Sequence, residues 1–153
     1  MANQRTVTDR ALARLPLERR LPTTPQRSYV MSQIKARDNK STELRMAAIL
    51  RGHRISGWRR QLPLPGPPDF VFRKERLCVF VDGCFWHACP RCYKAPRSNG
   101  AFWHHKAVRN RARDRKVNRE LRDKGWHVVR LWEHSLRAPE RVAARLRRAL
   151  GRP

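Results

Sequence analysis

Residues 81–93 read VDGCFWHACPRCY, and this segment restricts the possible folds of the chain more than any other. Three of the four cysteines lie here in the pattern Cys84-x4-Cys89-x2-Cys92. Thiolates at these spacings can bind one zinc ion from a short folded loop. Nothing in the sequence suggests secretion, so metal binding is favoured over disulfides. The segment therefore predicts a structural zinc site.

Two histidines compete to be the fourth zinc ligand. His87 lies inside the cysteine segment, and His134 lies far along the chain. We favour His134, because a distant ligand closes a long loop and ties the end of a strand to the zinc site. The fourth cysteine, Cys78, lies in an apolar run and is expected in the core.

The charge of the chain predicts a polyanionic partner. Lys and Arg number 36 against 12 Asp and Glu, which gives a net charge of +24. Nucleic acid is favoured, because neutralising phosphates releases bound counterions. A membrane surface is the rival, but no apolar run approaches the roughly 18 residues of a spanning helix and no signal peptide is evident. We expect a cytoplasmic, nucleic-acid-binding protein.

The apolar pattern predicts one α/β domain over residues 27–150, preceded by a disordered basic arm over residues 1–26. We expect a small mixed β-sheet flanked by helices. The expected helices begin at Ser41, span 102–124 and begin at Pro139; the expected strands span 69–72, 77–81 and 126–132. A monomer is expected, since no apolar face is left over beyond the core.

Two aspartates are candidates for a second metal site. Asp69 begins the first predicted strand, and Asp82 follows the second. A hairpin between these strands brings both carboxylates to one end of the sheet, where they can share a magnesium ion. Such an ion polarises a phosphate and orients water in nuclease chemistry. Glu43 is a third candidate, although a favourable interaction with the helix N-terminus would explain it equally well.

Three further features have a functional and a structural interpretation. His87 can act as a general base near neutral pH or serve as a structural or zinc-binding residue. Phe85 and Trp86 can contact DNA bases or fill the core. The helix over 104–124 carries nine Lys and Arg against three acids, so it can clamp phosphates or present a solvated face.

From about Arg27 to Leu136 the chain resembles the very short patch repair (Vsr) endonucleases, which have a restriction-endonuclease-like core. The matching segments are RSYVMSQIKARDNKSTE (27–43), LPGPPDFVF (64–72), VFVDGCFWHACP (79–90), AFW (101–103), NRARDRKVN (110–118) and GWHVVRLWEHSL (125–136). The resemblance implies an enzyme that nicks duplex DNA 5′ to the thymine of a T·G mismatch, the product of 5-methylcytosine deamination. Accessory repair proteins are further candidate partners, and the bacterial nucleoid is the implied place of action.

The resemblance also implies residue roles. Magnesium would be bound by Asp69 and the backbone carbonyl of Val81, with His87 as general base supported by Asp114. Glu43 would act through water. Zinc would be bound by Cys84, Cys89, Cys92 and His134. The residues implied to contact DNA are Met31, Phe85, Trp86, Trp103, Asn110, Arg111, Arg113 and Arg115.

The chain departs from the family pattern at two places. Asp82 stands where histidine is more familiar, so it is either a magnesium ligand or a charge partner. His134 stands where cysteine is more familiar, and the spacing to the last zinc ligand of the loop is shifted by one residue. Two other functions stay open: a restriction-type nuclease that cuts unmismatched sites, and a zinc-stabilised DNA-binding module without catalysis.

Overall fold

A four-stranded sheet forms the centre of the described part of the chain, which is Gln26 and residues 40–152 of a computed structural model. Most of the predicted basic arm, and Met31, lie outside the described residues. The strands are β1 (Trp58–Arg59), β2 (Phe70–Phe72), β3 (Leu77–Asp82) and β4 (His127–Trp132). Their spatial order is β1-β2-β3-β4. The first two pairings are antiparallel and β3 pairs with β4 in parallel, so the sheet is mixed, as predicted.

Helices cover both faces of this sheet. A π-helical turn, Lys40–Leu44, leads into α1 (Arg45–Gly52), and the other helices are α2 (Gly100–Asp123) and α3 (Pro139–Ala149). A 3-10 helix, Glu133–Arg137, directly follows β4. None of the described helices has the length and apolar character needed to cross a bilayer.

Alternation along β3 separates two hydrophobic cores. Leu77, Val79 and Val81 pack in the larger core with side chains from α1 and α3. Cys78 and Phe80 point the other way and pack in the smaller core that contains Leu121 of α2. All six residues of β3 are buried, as its continuous apolar run predicted. By the same alternation, Asp82 at the end of β3 belongs to the face that α2 covers.

The predicted elements are present, with shifted ends. Helix α2 begins at Gly100 instead of residue 102, because Asn99, which has a left-handed φ of 58°, precedes it. Strand β4 begins at His127 instead of Trp126. The prediction missed β1 and the 3-10 helix, because two residues of strand and one turn of helix are too short to show a period.

The proline-rich loop before β2 packs closely on α2. Gly66 in this loop has a φ of +65°, and a Cβ atom there would lie 2.4 Å from Cγ1 of Val117. Both the backbone conformation and the close approach therefore require glycine. The contact holds the loop against α2 just before Asp69 and the start of β2 at Phe70.

Replacing Gly66 with alanine should destabilise the fold by about 2–4 kcal/mol, from left-handed strain together with overlap against a β-branched side chain. Urea denaturation followed by circular dichroism would measure the loss. Gly52→Ala is the matched control, since nothing lies within 4 Å of its Cβ position, and it should change stability by less than about 1 kcal/mol. Equal effects of the two changes would contradict the assigned packing.

Candidate active site and metal centre

Four metal-binding side chains converge beyond the carboxyl ends of β3 and β4. Cys84, Cys89 and Cys92 lie in the loop after β3, and His134 lies in the 3-10 helix after β4. Parallel neighbouring strands end at the same edge of a sheet, so the two segments meet there. The four ligand atoms all lie within 4.8 Å of one another. We call this group the Cys3His cluster.

The spacing of the Cys3His cluster fits a tetrahedral metal site. Nδ1 of His134 lies 3.3, 3.5 and 3.4 Å from the three sulfurs, taken in chain order. Tetrahedral zinc, with Zn–S bonds of about 2.3 Å and Zn–N bonds of about 2.0–2.1 Å, places sulfur and nitrogen roughly 3.5 Å apart. The cluster can therefore hold a metal ion, and the histidine within it is His134, while His87 lies in a separate group.

Backbone hydrogen bonds fold the cysteine loop around this cluster. The Cys89 amide donates to the Cys84 carbonyl at 2.9 Å, and the Tyr93 amide donates to the Cys89 carbonyl at 3.0 Å. The Cys84 amide donates to the Glu133 carboxylate, which ties the loop to the 3-10 helix. Cys78 lies in the core, as expected, and burial raises the pKa of its thiol to about 11.

Asp69 lies beside the end of β3. Its Oδ2 accepts a hydrogen bond of 2.7 Å from the amide of Val81. Burial raises the pKa of Asp69 to about 6; the Val81 hydrogen bond opposes this, and the charges of Glu43 and Asp82 add to it. A carboxylate held among other acids in this way would be stabilised by a bound cation.

His87 lies between two carboxylates. Its Nδ1 is 2.6 Å from Oδ2 of Asp114 on α2 and 3.8 Å from Oδ1 of Asp82. Burial alone would raise the pKa of Asp114, but the hydrogen bond to His87 and nearby positive charges hold it below its usual range. The ionised Asp114 therefore accepts a proton from Nδ1, which leaves Nε2 as the nitrogen available to a substrate.

Arg130 on β4 joins the two carboxylates. Its Nε and Nη2 each donate to Asp82 at 2.8 Å, and Nη2 also lies 2.9 Å from Asp114 Oδ1. Nη1 donates to Asn118, and the guanidinium lies 4.4 Å from the centre of the Phe80 ring. Burial lowers the pKa of Arg130, but the hydrogen bonds and charges of the two aspartates outweigh it and raise the pKa above its usual value.

Glu43 lies close enough to Asp69 for its charge to act on that carboxylate. It is 9 % exposed in the π-helical turn and forms an ion pair with Arg60. Its charge raises the pKa of Asp69, as does the charge of Asp82. We call Glu43, Asp69, Asp82 and Asp114 together the acidic region. The buried position and the charge partner distinguish Glu43 from an ordinary exposed acid at a helix N-terminus.

An aromatic surface adjoins this acidic region. The Phe85 ring packs edge-on against Trp86 at 5.3 Å and against Trp103 at 5.1 Å. Phe85 is 36 % exposed, whereas Trp103 is 7 % exposed and supports the other rings from below. The Lys106 ammonium lies 5.0 Å from the centre of the Trp86 ring, and Asn110 donates to the Trp86 carbonyl at 2.7 Å. The outer rings are thus held at the surface instead of filling the core.

Helix α2 separates an inner polar row from an outer basic face. Asn110, Asp114 and Asn118 recur every fourth residue and contact Trp86, His87 and Arg130 in that order. On the outer side, Arg113 and Arg115 are exposed and Arg111 is half-buried. The helix can therefore support the site and contact a polyanion at the same time.

The predicted metal, catalytic and aromatic residues that the structure describes lie in two adjoining groups, the Cys3His cluster and the acidic region with its aromatic surface. The predicted phosphate contacts Arg111, Arg113 and Arg115 lie apart from both groups, on the outer side of α2. Met31 lies outside the described residues. Sequence reasoning missed Arg130, Asn118 and Arg60, because an arginine or asparagine in a basic chain carries no distinguishing pattern. The signal available for Arg130 was its position: it is the one charged residue in the otherwise apolar run VVRLW (128–132).

Comparisons with known proteins identify relatives of this chain. A family model described as DNA mismatch endonuclease Vsr matches residues 21–94. The DNA mismatch endonuclease Vsr of Escherichia coli (strain K12) is 38% identical over 118 residues, which cover 76% of this chain and 74% of that protein. The type II nicking enzyme V.XorIIP of Xanthomonas oryzae pv. oryzae is 37% identical over 129 residues, covering 82% of this chain and 92% of that protein.

A third relative matches more closely over a shorter stretch. The type II nicking enzyme V.NaeI of Lentzea aerocolonigenes is 49% identical over 67 residues. That alignment covers 44% of this chain and 40% of the relative. Nicking enzymes and a mismatch endonuclease thus share this sequence pattern.

The raised pKa of Asp69 makes folding depend on pH. Its folded-state pKa of about 6 exceeds the ordinary 3.8, so the folded chain binds this proton more tightly than the unfolded chain. The resulting stabilisation is complete below about pH 4 and is lost as pH rises through about 6. Without added magnesium, Asp69→Asn should therefore gain about 2–3 kcal/mol relative to the unchanged protein between pH 4 and pH 8.

Urea denaturation at both pH values would measure this gain. Asp123→Asn is the matched control, because this carboxylate is exposed at the end of α2; it should show no such trend. An Asp69→Asn variant whose relative stability is the same at pH 4 and pH 8 would contradict the assigned environment of Asp69.

Proposed function

Because this chain belongs to the Vsr family of DNA mismatch endonucleases, we propose that it nicks duplex DNA 5′ to the thymine of a T·G mismatch. The reaction is magnesium-dependent phosphodiester hydrolysis in very short patch repair. One observation carries the proposal: the His87–Asp114 pair, the Asp69 carboxylate and an exposed aromatic surface lie together at one end of the sheet. The net charge of +24 suits a duplex partner.

Asp69 and the backbone carbonyl of Val81 would hold the magnesium ion. Both offer hard oxygen ligands, which this ion prefers. The raised pKa of Asp69 supports the assignment, because a cation would relieve the repulsion from Glu43 and Asp82. When bound, magnesium polarises the scissile phosphate and shields its charge. Glu43 would contribute through a water molecule.

His87 is the proposed general base. Asp114 accepts the Nδ1 proton, so Nε2 has a free lone pair that can take a proton from the attacking water. Asp114 also fixes the plane of the ring from a rigid helix. Asp82 contributes charge beside His87, with both of its oxygens engaged by Arg130.

The aromatic surface is the proposed mismatch reader. Phe85 and Trp86 would enter the base stack, with Trp103 supporting them and Met31 approaching from the opposite groove. A T·G wobble unstacks more easily than a Watson–Crick pair, so insertion there costs less. Arg111, Arg113 and Arg115 would contact phosphates, while Asn110 holds the Trp86 backbone.

Zinc is the proposed ion of the Cys3His cluster, since three thiolates and an imidazole at tetrahedral spacing suit it. We assign the sheet and its helices to a restriction-endonuclease-like core within a single domain over 27–150, and residues 1–26 to a basic arm. We expect a monomer that acts on DNA at the bacterial nucleoid, with accessory repair proteins as further partners. The cutting of unmismatched duplex stays a second candidate, because two relatives are named type II nicking enzymes and their names specify no mismatch.

A nicking assay separates these functions. A duplex with one T·G pair should be nicked 5′ to the thymine in the presence of magnesium, and the matched C·G duplex at least about 100-fold more slowly, which is about 2.7 kcal/mol of discrimination. Asp69→Ala should abolish nicking with little loss of DNA binding, whereas Asp123→Ala should nick normally. Equal nicking of both duplexes would favour the restriction-type alternative, and binding without nicking would favour the non-catalytic one.

Metal analysis tests the zinc assignment. The purified protein should contain one zinc, and His134→Ala should lose it and unfold at lower temperature, because zinc binding contributes folding free energy. His134→Cys should keep the metal, since a thiolate is also a zinc ligand. Cys78→Ala is the control, and its zinc content should be normal. Full zinc occupancy in His134→Ala would refute the ligand set.

A further inference from the structure

Arg130 is surrounded by acceptors and is not placed to bind DNA phosphates. All three of its guanidinium nitrogens have partners: Nε and Nη2 contact Asp82, Nη2 also contacts Asp114, and Nη1 contacts Asn118. Its side chain is only 19 % exposed. Arg130 therefore differs from the exposed arginines of the chain, because its guanidinium is bound by side chains of the protein itself.

The position of Arg130 is rigid. It lies in the middle of β4, directly opposite Phe80 in the parallel register with β3. Its guanidinium stacks on the Phe80 ring at 4.4 Å, and its planar fork meets both oxygens of Asp82. A bidentate pair of this kind fixes the direction of both side chains.

Two carboxylates compete for one nitrogen of His87. Asp114 lies 2.6 Å from Nδ1 and Asp82 lies 3.8 Å from the same atom. Arg130 engages both oxygens of Asp82 and the Oδ1 of Asp114. Oδ2 of Asp114 is the one oxygen of the two carboxylates that Arg130 does not contact, and it is the oxygen that lies 2.6 Å from Nδ1, while Asp82 is held at 3.8 Å.

We propose that Arg130 is a positioning residue for the nicking reaction: it forms a unit with Asp82 and orients Asp114, so that His87 presents Nε2 to the DNA. Asp82 then acts as the partner of Arg130 and not as a magnesium ligand. This inference rests on the proposed function for its rate measurement, but the hydrogen-bond network exists without DNA and can be tested separately.

Removing Arg130 should affect the rate more than binding. Arg130→Met keeps an unbranched stem that can pack on Phe80 but removes the guanidinium and its charge, so Asp82 can turn toward His87. We expect single-turnover nicking of the T·G duplex at saturating magnesium to fall at least about tenfold, or about 1.4 kcal/mol. Arg145→Met, at an exposed position of α3, is the control for the lost charge. The two variants should bind DNA with dissociation constants within about threefold of each other.

A second-site change tests whether the slower nicking of Arg130→Met is caused by the charge of Asp82. Asp82→Asn combined with Arg130→Met removes the competing charge, so the double variant should nick at least about fivefold faster than Arg130→Met alone. A double variant no faster than the single one would overturn the proposal. So would a nicking rate of Arg130→Met equal to that of Arg145→Met, or a defect confined to DNA binding.

Folding and function can be separated. If circular dichroism shows that Arg130→Met does not fold, Arg130→Lys takes its place; a lysine keeps the charge but lacks the fork, so nicking should still be slower with unchanged binding. If the unmodified protein nicks no duplex, the proposed function fails. The network is then tested by the NMR signal of the His87 Nδ1 proton, assigned with His87→Gln: it should change when Arg130 is replaced and stay unchanged in Arg145→Met. An unchanged signal in both variants would overturn the proposal.

Discussion

Parallel pairing of β3 with β4 brings the carboxyl ends of both strands to one edge of the sheet. Both the Cys3His cluster and the acidic region depend on this pairing. The loop after β3 supplies three thiols and His87, while the 3-10 helix after β4 supplies His134. The same register sets Asp82 beside the strand that carries Arg130. Neither strand alone could form either group, because each contributes only part of the ligands.

The acidic region is negatively charged, whereas the chain as a whole carries a net charge of +24. This net charge favours a polyanionic partner such as DNA, whereas Asp69, Asp82 and Asp114 concentrate negative charge at one edge of the sheet. Burial makes that concentration costly, as the raised pKa of Asp69 indicates. Arg130 balances the negative charges of Asp82 and Asp114 on the side near α2. On the side of Asp69, a bound cation would balance the charge. The two sides of the region therefore differ in how their charge is balanced.

Short-range patterns made much of this predictable. Alternation and apolar runs indicated β2, β3 and β4, and thiol spacing indicated the three cysteines of the Cys3His cluster, because each rests on neighbours within a few residues. His134 lies 42 residues beyond Cys92 and was chosen by a separate argument, the closure of a long loop. Arg130 and Arg60 could not be found this way, since their partners lie 48 and 17 residues away. The burial of Trp103 beneath Phe85 also depends on the tertiary packing of α2 against the loop. Contacts between residues far apart in the chain, such as these, leave no short-range pattern in the sequence.

The cysteine loop joins structure to chemistry through its covalent order. His87 lies between Cys84 and Cys89, and the exposed ring of Phe85 and the half-buried ring of Trp86 lie between the same two cysteines. The Cys84 to Cys89 hydrogen bond closes this six-residue turn, and the Cys3His cluster fixes both of its ends. A metal in the cluster would therefore hold His87, the proposed general base, and the aromatic surface on the same short loop. The proposed mismatch reader and the proposed general base would then be positioned by the same two ends of the loop.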